Sequence, residues 1–439
     1  MERRAAGQER DGLLRLLSLE RIFADERCAE ALADDSLLAA MARFESALAR
    51  AGARAGFFPA AHADTIAAAC ARASFDTPAI AREARNAGTL TIPFVAALRK
   101  QIPGDAARFL HFGATSQDAS DTALALCLKP AMERTASLAC ELGDALASLA
   151  KRHADTPMVG RTLLQPAVPI PFGWKVAMWL APLGRSVPHY RRAVAQAAVL
   201  QFGGATGTLS ALGEKGDAMA TDMARELGLN KAVTWHSARD AFARLGAETA
   251  ILAGIAAKIA GDISLAMQPE VGELMEPSAP GRGGSSAMPH KRNPAACLLA
   301  LEAGRRAPGL ASTLLNQLES EHERGIGQWQ SQFITLRELV CATASGLAAV
   351  GEVVQGLQVD EQAMARNLER TQGLVFSEAL SLRLSRADAD RLVEQAVREK
   401  KHLRDVVPAG LRDLFDPRKS YGAAPPMIER VLAEWTSAR

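Results

Sequence analysis

The segment 280–294 is the part of the chain whose residue types and spacing could do chemistry. It reads PGRGGSSAMPHKRNP and brings hydroxyls, cations and an amide into one short stretch. Gly281, Gly283 and Gly284 allow backbone conformations that other residues avoid, and prolines restrict both flanks. Such a segment is typical of a hinged loop that presents hydrogen-bond donors to an anionic ligand. A solvated basic loop is the alternative from composition alone, and a phosphate loop is disfavoured because the order G-x-x-x-x-G-K-[ST] is absent.

Charge and composition exclude several classes of protein. The 439 residues carry 51 Lys plus Arg against 49 Asp plus Glu, so the net charge is +2. This balance argues against a protein that binds nucleic acid or anionic membranes through its overall charge. Hydrophobic residues make up 48% of the chain but aromatic residues only 5%. Ala, Leu, Ile, Val and Met must therefore supply the apolar content, and most of them favour helices.

Cysteine usage and the terminus bear on the compartment. The six cysteines form no C-x-x-C pair, which favours buried thiols in a reducing compartment over disulfides or a zinc cluster. The N-terminal residues mix acids with bases and lack a continuous apolar stretch, so they make a poor signal peptide. We therefore predict a cytoplasmic protein that binds no metal.

The most apolar long stretch, 243–267, is interrupted by charged residues that an ordinary membrane span would not carry. On a helical wheel these charges fall within about 80° of one another. The pattern predicts a long helix that is buried on most of its circumference and exposes one narrow polar stripe.

Breakers divide the chain into three predicted parts. They are an N-terminal helical domain at 1–110, a central long-helix bundle at 111–358 that contains the loop 280–294, and a C-terminal helical domain at 359–439. Long helical patterns are predicted at 118–154, 165–200, 238–268 and 294–323, and helices of this length stack as a bundle. Ser36 is predicted to cap an early helix, and Ser385 with Asp388 is predicted to start a late one.

Residues 284–294, GSSAMPHKRNP, resemble the signature loop of the fumarase/aspartase superfamily, whose common form is G-S-S-x-M-P-x-K-x-N-P. Two further blocks match in order and spacing, HFGATSQD at 111–118 and the segment 156–173. The resemblance spans nearly the whole chain and implies an all-α, three-part fold that assembles into a tetrameric twenty-helix core. Each active site would then be shared between subunits, and no cofactor would be needed. The implied chemistry is addition or elimination across a carbon–carbon bond beside a carboxylate.

Within the superfamily, the segments 111–122, 200–213 and 321–329 resemble those of the bacterial carboxymuconate cycloisomerases. These enzymes close a small linear tricarboxylate into a lactone during protocatechuate breakdown. An adenylosuccinate or argininosuccinate lyase is the nearest alternative, and a catalytically silent protein of the same fold is another. Pro166 stands where many superfamily members have His. A carboxylate has a reference pKa of about 4 and reacts unprotonated, so lactone chemistry tolerates this loss better than release of an amine does.

By resemblance, Ser285 is the catalytic acid/base, and Lys291 and Asn293 stabilise the doubly charged carboxylate that develops during the reaction. A serine hydroxyl is a weak base in water, so its alkoxide needs cations, backbone N–H groups and exclusion of solvent. His111 is expected to orient or neutralise a substrate carboxylate, and the alternative is a structural core histidine. Further substrate contacts are predicted at Thr115, Ser116, Gln117, Arg161, Thr162, Gln165, Gln201 and Arg282. The alternative for Thr115 and Ser116 is helix capping. The alternative for the other polar residues is that they are merely exposed side chains, and these are Arg161, Thr162, Gln165 and Gln201. Residues 322–324 are expected to support the site, and His236 to be an ordinary structural histidine.

Overall fold

The computed structural model describes residues 21–439, which form two compact units. Unit 1 comprises 21–137, 189–251 and 303–345, and unit 2 comprises 138–188, 252–302 and 346–439. Both units are built almost entirely of helices, which confirms the predicted all-α class. The division into three consecutive parts stays a prediction.

Within residues 26–99 the structure has five α-helices before the first of the long central ones. They are α1 (Glu26–Ala31), α2 (Asp34–Arg54), α3 (Ala60–Arg72), α4 (Thr77–Ala87) and α5 (Thr91–Arg99). Helix α2 has an apolar stripe on which Met41, Phe44 and Leu48 are buried. The predicted cap is wrong: Ala33 precedes the helix, and the Ser36 hydroxyl donates to the Glu30 carbonyl at 2.7 Å. Two aspartates in the first turn favour the earlier start, because their charge complements the N-terminal helix dipole.

The long helices dominate the middle of the chain. In order they are α6 (Ser116–Arg152), α7 (Phe172–Ala197), the shorter α8 (Lys215–Leu227), α9 (Asp240–Ala266), α10 (Ala295–Asn316) and α11 (Gln328–Gln355). The predicted long helices are confirmed in outline. Helix α10 ends earlier than predicted, however, and α11 was not among the predicted stretches.

Helix α9 corresponds to the apolar stretch noted in the sequence. Its exposed side chains share one narrow stripe, as predicted, but the stripe holds Ile251 and Leu265 as well as Arg244 and Lys258. By length and composition alone α9 and α11 could cross a membrane, although core helices of soluble proteins pass the same test. In the most apolar 18-residue segment of each helix, 72% of α11 is buried within the chain, but only 39% of α9.

A β-hairpin occupies the start of the segment predicted to be helical at 165–200. Strands β1 (Pro157–Thr162) and β2 (Gln165–Pro171) pair antiparallel, with Thr162 opposite Gln165. The helix prediction is wrong here because β2 reads QPAVPIP, and its prolines lack the N–H that a helix requires. The turn residues Leu163 and Leu164 both have positive φ, at 49° and 65°, and are 97% and 77% exposed. Left-handed backbone costs about 1–2 kcal/mol for such residues.

Short elements complete the C-terminal part. Strands β3 (Leu274–Met275) and β4 (Gln358–Val359) pair antiparallel. The remaining helices are α12 (Glu361–Glu369), α13 (Ser377–Ser381), α14 (Arg386–Glu399), α15 (Leu403–Val406) and α16 (Ala424–Ala438). The predicted start of α14 is confirmed, because the Ser385 side chain accepts from the Asp388 N–H.

Candidate active site

The predicted site residues fall into two groups, one in each unit. The unit 1 group consists of His111, Thr115, Ser116, Gln117 and Gln201. The unit 2 group consists of Arg161, Thr162, Gln165, Arg282, Ser285, Lys291 and Asn293.

The carboxylate of Asp118 organises the unit 1 group. It is fully buried in the first turn of α6, and its Oδ2 accepts the Thr115 N–H at 3.0 Å, as in a capping box. The same carboxylate accepts N–H groups of Gly203 and Gly204, both at 2.9 Å. His236 Nε2 lies 2.8 Å from its Oδ1. One charged group therefore fixes the segment before α6 to the glycine-containing segment after α7, and His236 is a buried structural histidine.

Gln117 and Gln201 are fully buried in this chain. The Gln201 side-chain amide donates to Asp118 and Thr234, and its oxygen accepts the Trp235 N–H. Both ends of the amide therefore bind protein groups. Gln117 donates to Asp121 and to the His236 carbonyl. In this chain both glutamines therefore make hydrogen bonds to buried protein groups near the half-buried Thr115 and Ser116, which adjoin Gln117 in sequence. Their predicted direct contact with substrate stays a prediction.

His111 is held by a carboxylate on α2. Glu45 Oε2 accepts the His111 backbone N–H at 3.0 Å, and Glu45 Oε1 lies 2.6 Å from the imidazole Nδ1. Burial alone lowers the pKa of His111, but the charge and hydrogen bond of Glu45 outweigh burial and raise it above its ordinary value. The imidazole is thus biased toward the cationic form that binds a carboxylate.

The loop 280–294 is anchored at its ends. The buried carboxylate of Glu276 accepts the N–H groups of Ala296 and Cys297, which caps α10 immediately after the loop. Arg292 returns to this anchor by donating to the Glu276 carbonyl at 3.3 Å. Gly283 accepts the Asn293 N–H at 2.8 Å and has φ of 66°, and a Cβ there would lie 2.5 Å from the Asn293 carbonyl. This position therefore requires glycine.

Ser285 lies in this loop two residues after Gly283, and its hydroxyl oxygen faces backbone donors. Its Oγ accepts the Met288 N–H at 3.0 Å and the Ala287 N–H at 3.4 Å. Lys291 is exposed on the same loop, and the Asn293 side-chain amide donates to the Gly284 carbonyl. Backbone N–H groups directed at a hydroxyl oxygen stabilise negative charge there, which is what an ionised serine needs.

Two arginines predicted to bind substrate are paired with protein carboxylates. Arg161 donates to both oxygens of the fully buried Glu273 at 2.8 and 2.7 Å, and Asn367 donates to that carboxylate as well. This cluster ties the end of β1 next to the turn, beside the exposed Thr162 and Gln165. Arg282 donates to Glu352 at 2.7 Å. In this structure both arginines support their segments, and their contact with substrate stays a prediction.

Sequence reasoning missed Glu45, Asp118 and Glu276. Glu45 had a readable signal, because it lies four residues after Met41 and three before Leu48, on the apolar stripe of α2. A carboxylate on such a stripe must have a buried partner. Of the segment 322–324, Arg324 donates to the Ala205 carbonyl at 2.7 Å, next to the glycines that Asp118 binds. The three acids share a role, since each fixes a loop that carries a predicted residue.

Metal-binding geometry is absent from residues 21–439, where no three His, Cys, Asp or Glu side chains lie together as possible ligands. A cavity of about 680 Å³ lies in unit 1 among residues of α2, α3 and α8, and it is lined by none of the predicted residues.

The all-α fold and the loop that carries Ser285, Lys291 and Asn293 fit the class of carboxylate-processing lyases that the signature motif GSSAMPHKRNP indicates. Residues 22–309 match the family described as Lyase. The chain belongs to this family and to the fumarase/aspartase superfamily that the signature loop indicated.

Particular relatives narrow the class. The 3-carboxy-cis,cis-muconate cycloisomerase of Bradyrhizobium diazoefficiens is 43% identical over 425 residues, which cover 91% of this chain and 94% of the relative. The enzyme of the same name from Pseudomonas aeruginosa is 42% identical over 424 residues, with 91% and 92% covered. The crystal structure of 3-carboxy-cis,cis-muconate lactonizing enzyme from Pseudomonas putida has a TM-score of 0.90 and 40% identity, covering 96% of this chain and 99% of that one.

Proposed function

We propose that this chain catalyses the cycloisomerisation of 3-carboxy-cis,cis-muconate to 4-carboxymuconolactone. The observation that carries the proposal is the near-complete match to relatives of that name, at 42–43% identity over 91% of the chain. The chain also has the serine, lysine and asparagine that the chemistry requires, on one anchored loop. The enzyme would act in the cytoplasm, in the breakdown of protocatechuate.

The reaction is an internal addition in which no atom is lost. One substrate carboxylate forms a carbon–oxygen bond at one end of a carbon–carbon double bond, and a proton adds to the neighbouring carbon. Ser285 donates that proton and is left as an alkoxide. The N–H groups of Met288 and Ala287, which already face Ser285 Oγ, stabilise the charge.

Charge also builds on the carboxylate beside the carbon that is protonated. Lys291 and Asn293 are assigned to that carboxylate, because an ammonium and an amide donor stabilise the doubly charged form as it develops. His111 is assigned to a second carboxylate as a cation. The nucleophile belongs to the substrate, so no enzyme group has to protonate a departing amine. Pro166 in β2 is compatible with this chemistry although it cannot transfer a proton.

Assembly as a homotetramer with shared active sites is part of the proposal. Large apolar side chains are half exposed along the long helices of the single chain, including Ile251 on α9, Leu298 on α10 and Ile334 on α11. Obligate interfaces bury surfaces of this kind, because they resemble a domain core cut in half. A dilution series with activity and mass measured together tests the assembly. Activity that persists in a monomeric fraction would contradict it.

The decisive experiment mixes the purified protein with 3-carboxy-cis,cis-muconate and follows loss of the diene absorbance. Ser285→Ala should lower kcat by about 100- to 10,000-fold, the usual contribution of general acid catalysis. Ser286→Ala is the matched control, since the neighbouring hydroxyl makes no assigned proton transfer, and it should stay within about tenfold of the parent. Absence of diene loss, together with turnover of adenylosuccinate, would overturn the proposal.

A further inference from the structure

Glu45 is an acidic residue in an apolar setting. It lies on the buried stripe of α2, and its side chain is completely inaccessible to solvent. Both carboxylate oxygens are directed at one residue, His111, at 3.0 Å from the backbone nitrogen and 2.6 Å from Nδ1. A fully buried carboxylate is costly unless it is hydrogen-bonded and balanced by charge. The imidazole is the ionisable group that supplies both.

We infer that Glu45 is a positioning residue that holds His111 as an imidazolium, leaving Nε2–H to bind a carboxylate of the substrate. This inference rests on the proposed function and adds a residue to it. Glu45 acts only through His111, since its own side chain has no exposed surface on which a ligand could bind.

The two hydrogen bonds fix the histidine in both backbone and ring. His111 has φ of 63°, a left-handed conformation that is uncommon for residues other than glycine, and the bond to its N–H holds the backbone there. The bond to Nδ1 places a proton on that nitrogen and sets the ring plane. With Nδ1 occupied, Nε2 is the nitrogen left for a ligand, and the side chain keeps 18% of its surface exposed.

The charged groups around His111 favour the cation. Burial lowers its pKa, while Glu45 on α2 and Asp118 on α6 raise it and Arg99 on α5 lowers it, with a net rise. Cys70 on α3 faces Glu45, and burial raises the pKa of this thiol to about 12, so it carries no charge at neutral pH. Because kcat/KM reports the free enzyme, it should fall on the alkaline side as His111 loses its proton.

Glu45→Gln removes the charge and keeps an oxygen that can accept the His111 N–H. The pKa of His111 should then fall, and the alkaline limb of kcat/KM should move to lower pH. At pH 8 the loss should be about ten- to hundredfold and should lie mainly in KM, because a charged hydrogen bond to bound substrate is weakened. Glu226→Gln is the matched control, because Glu226 also contacts α2, through Arg50 and Arg54. It should leave the pH profile unchanged.

The second readout needs no substrate. NMR titration of protein labelled at histidine Cε1, with His111 assigned from the spectrum of His111→Asn, gives the pKa of the imidazole directly. In the parent it should lie above about 6.5, the ordinary value of histidine, and Glu45→Gln should lower it. In a His111→Asn background, Glu45→Gln should not shift the alkaline limb further.

Two results would overturn the inference. One is a folded Glu45→Gln protein whose His111 titration and pH profile match those of the parent, which leaves Glu45 a purely structural role. The other is a parent His111 that titrates at or below 6.5, and this result stands even if the variant fails to fold. Failure of the proposed function differs from both, since the substrate would then not turn over while the NMR titration still showed the raised pKa.

Discussion

Replacing Asp118 by Asn should destabilise unit 1 more than an isosteric change normally does. Oδ1 serves Gln201, Gly203 and His236, and Oδ2 serves the N–H groups of Thr115 and Gly204. If the asparagine oxygen replaces Oδ1, the NH₂ group replaces Oδ2 and faces the backbone N–H groups of Thr115 and Gly204, which then have no acceptor. Each buried donor left without an acceptor costs about 1–3 kcal/mol, so the free energy of unfolding should fall by about 2–6 kcal/mol. This is a large part of the total of about 5–15 kcal/mol that is typical of folded domains.

Urea unfolding followed by circular dichroism measures this change, at one protein concentration because assembly contributes to the apparent stability. Asp222→Asn is the matched control. Its carboxylate pairs with Arg54 and Arg225 near the surface, and exposed pairs of this kind contribute at most about 1 kcal/mol. A loss below about 1 kcal/mol in Asp118→Asn, with an unchanged urea dependence, would refute the reasoning that this carboxylate fixes both segments.

Two further predictions concern unit 2. In the diene assay, Gly283→Ala should lower kcat/KM at least tenfold more than Gly281→Ala. Both glycines have positive φ, but only at position 283 would the new Cβ collide with backbone atoms. Equal effects of the two substitutions would contradict this prediction. Arg161→Met should lower the free energy of unfolding by about 3–5 kcal/mol, because it leaves the buried Glu273 without its cation. Urea titration measures that loss of stability. Adding Glu273→Gln to Arg161→Met should restore part of the free energy of unfolding, because the buried charge is then removed. A double variant that is less stable than Arg161→Met would contradict the proposed ion pair.

The sequence predicted best what is local along the chain. The loop 280–294 carries its serine, cations and glycines within one segment, so residue types alone pointed to it. Contacts between residues far apart in the sequence were not predicted. Glu45 and His111 are 66 positions apart, and only the packing of α2 brings them together. Helix α11 was missed for a related reason. It is buried on all sides over residues 341–347, and a helix that is apolar all round shows little periodicity.

The turn between β1 and β2 has a consequence for anyone who wishes to engineer a sturdier version of this chain. Leu163 and Leu164 occupy backbone conformations that Asn-Gly fills with little strain in two-residue hairpins. Substituting that dipeptide would relieve about 1–2 kcal/mol of strain at each position. It would also delete the two apolar side chains that the hairpin presents at its tip. A design procedure that maximises the stability of one isolated chain would therefore select this substitution. It would remove two exposed leucines that the chain retains although their backbone conformation is strained.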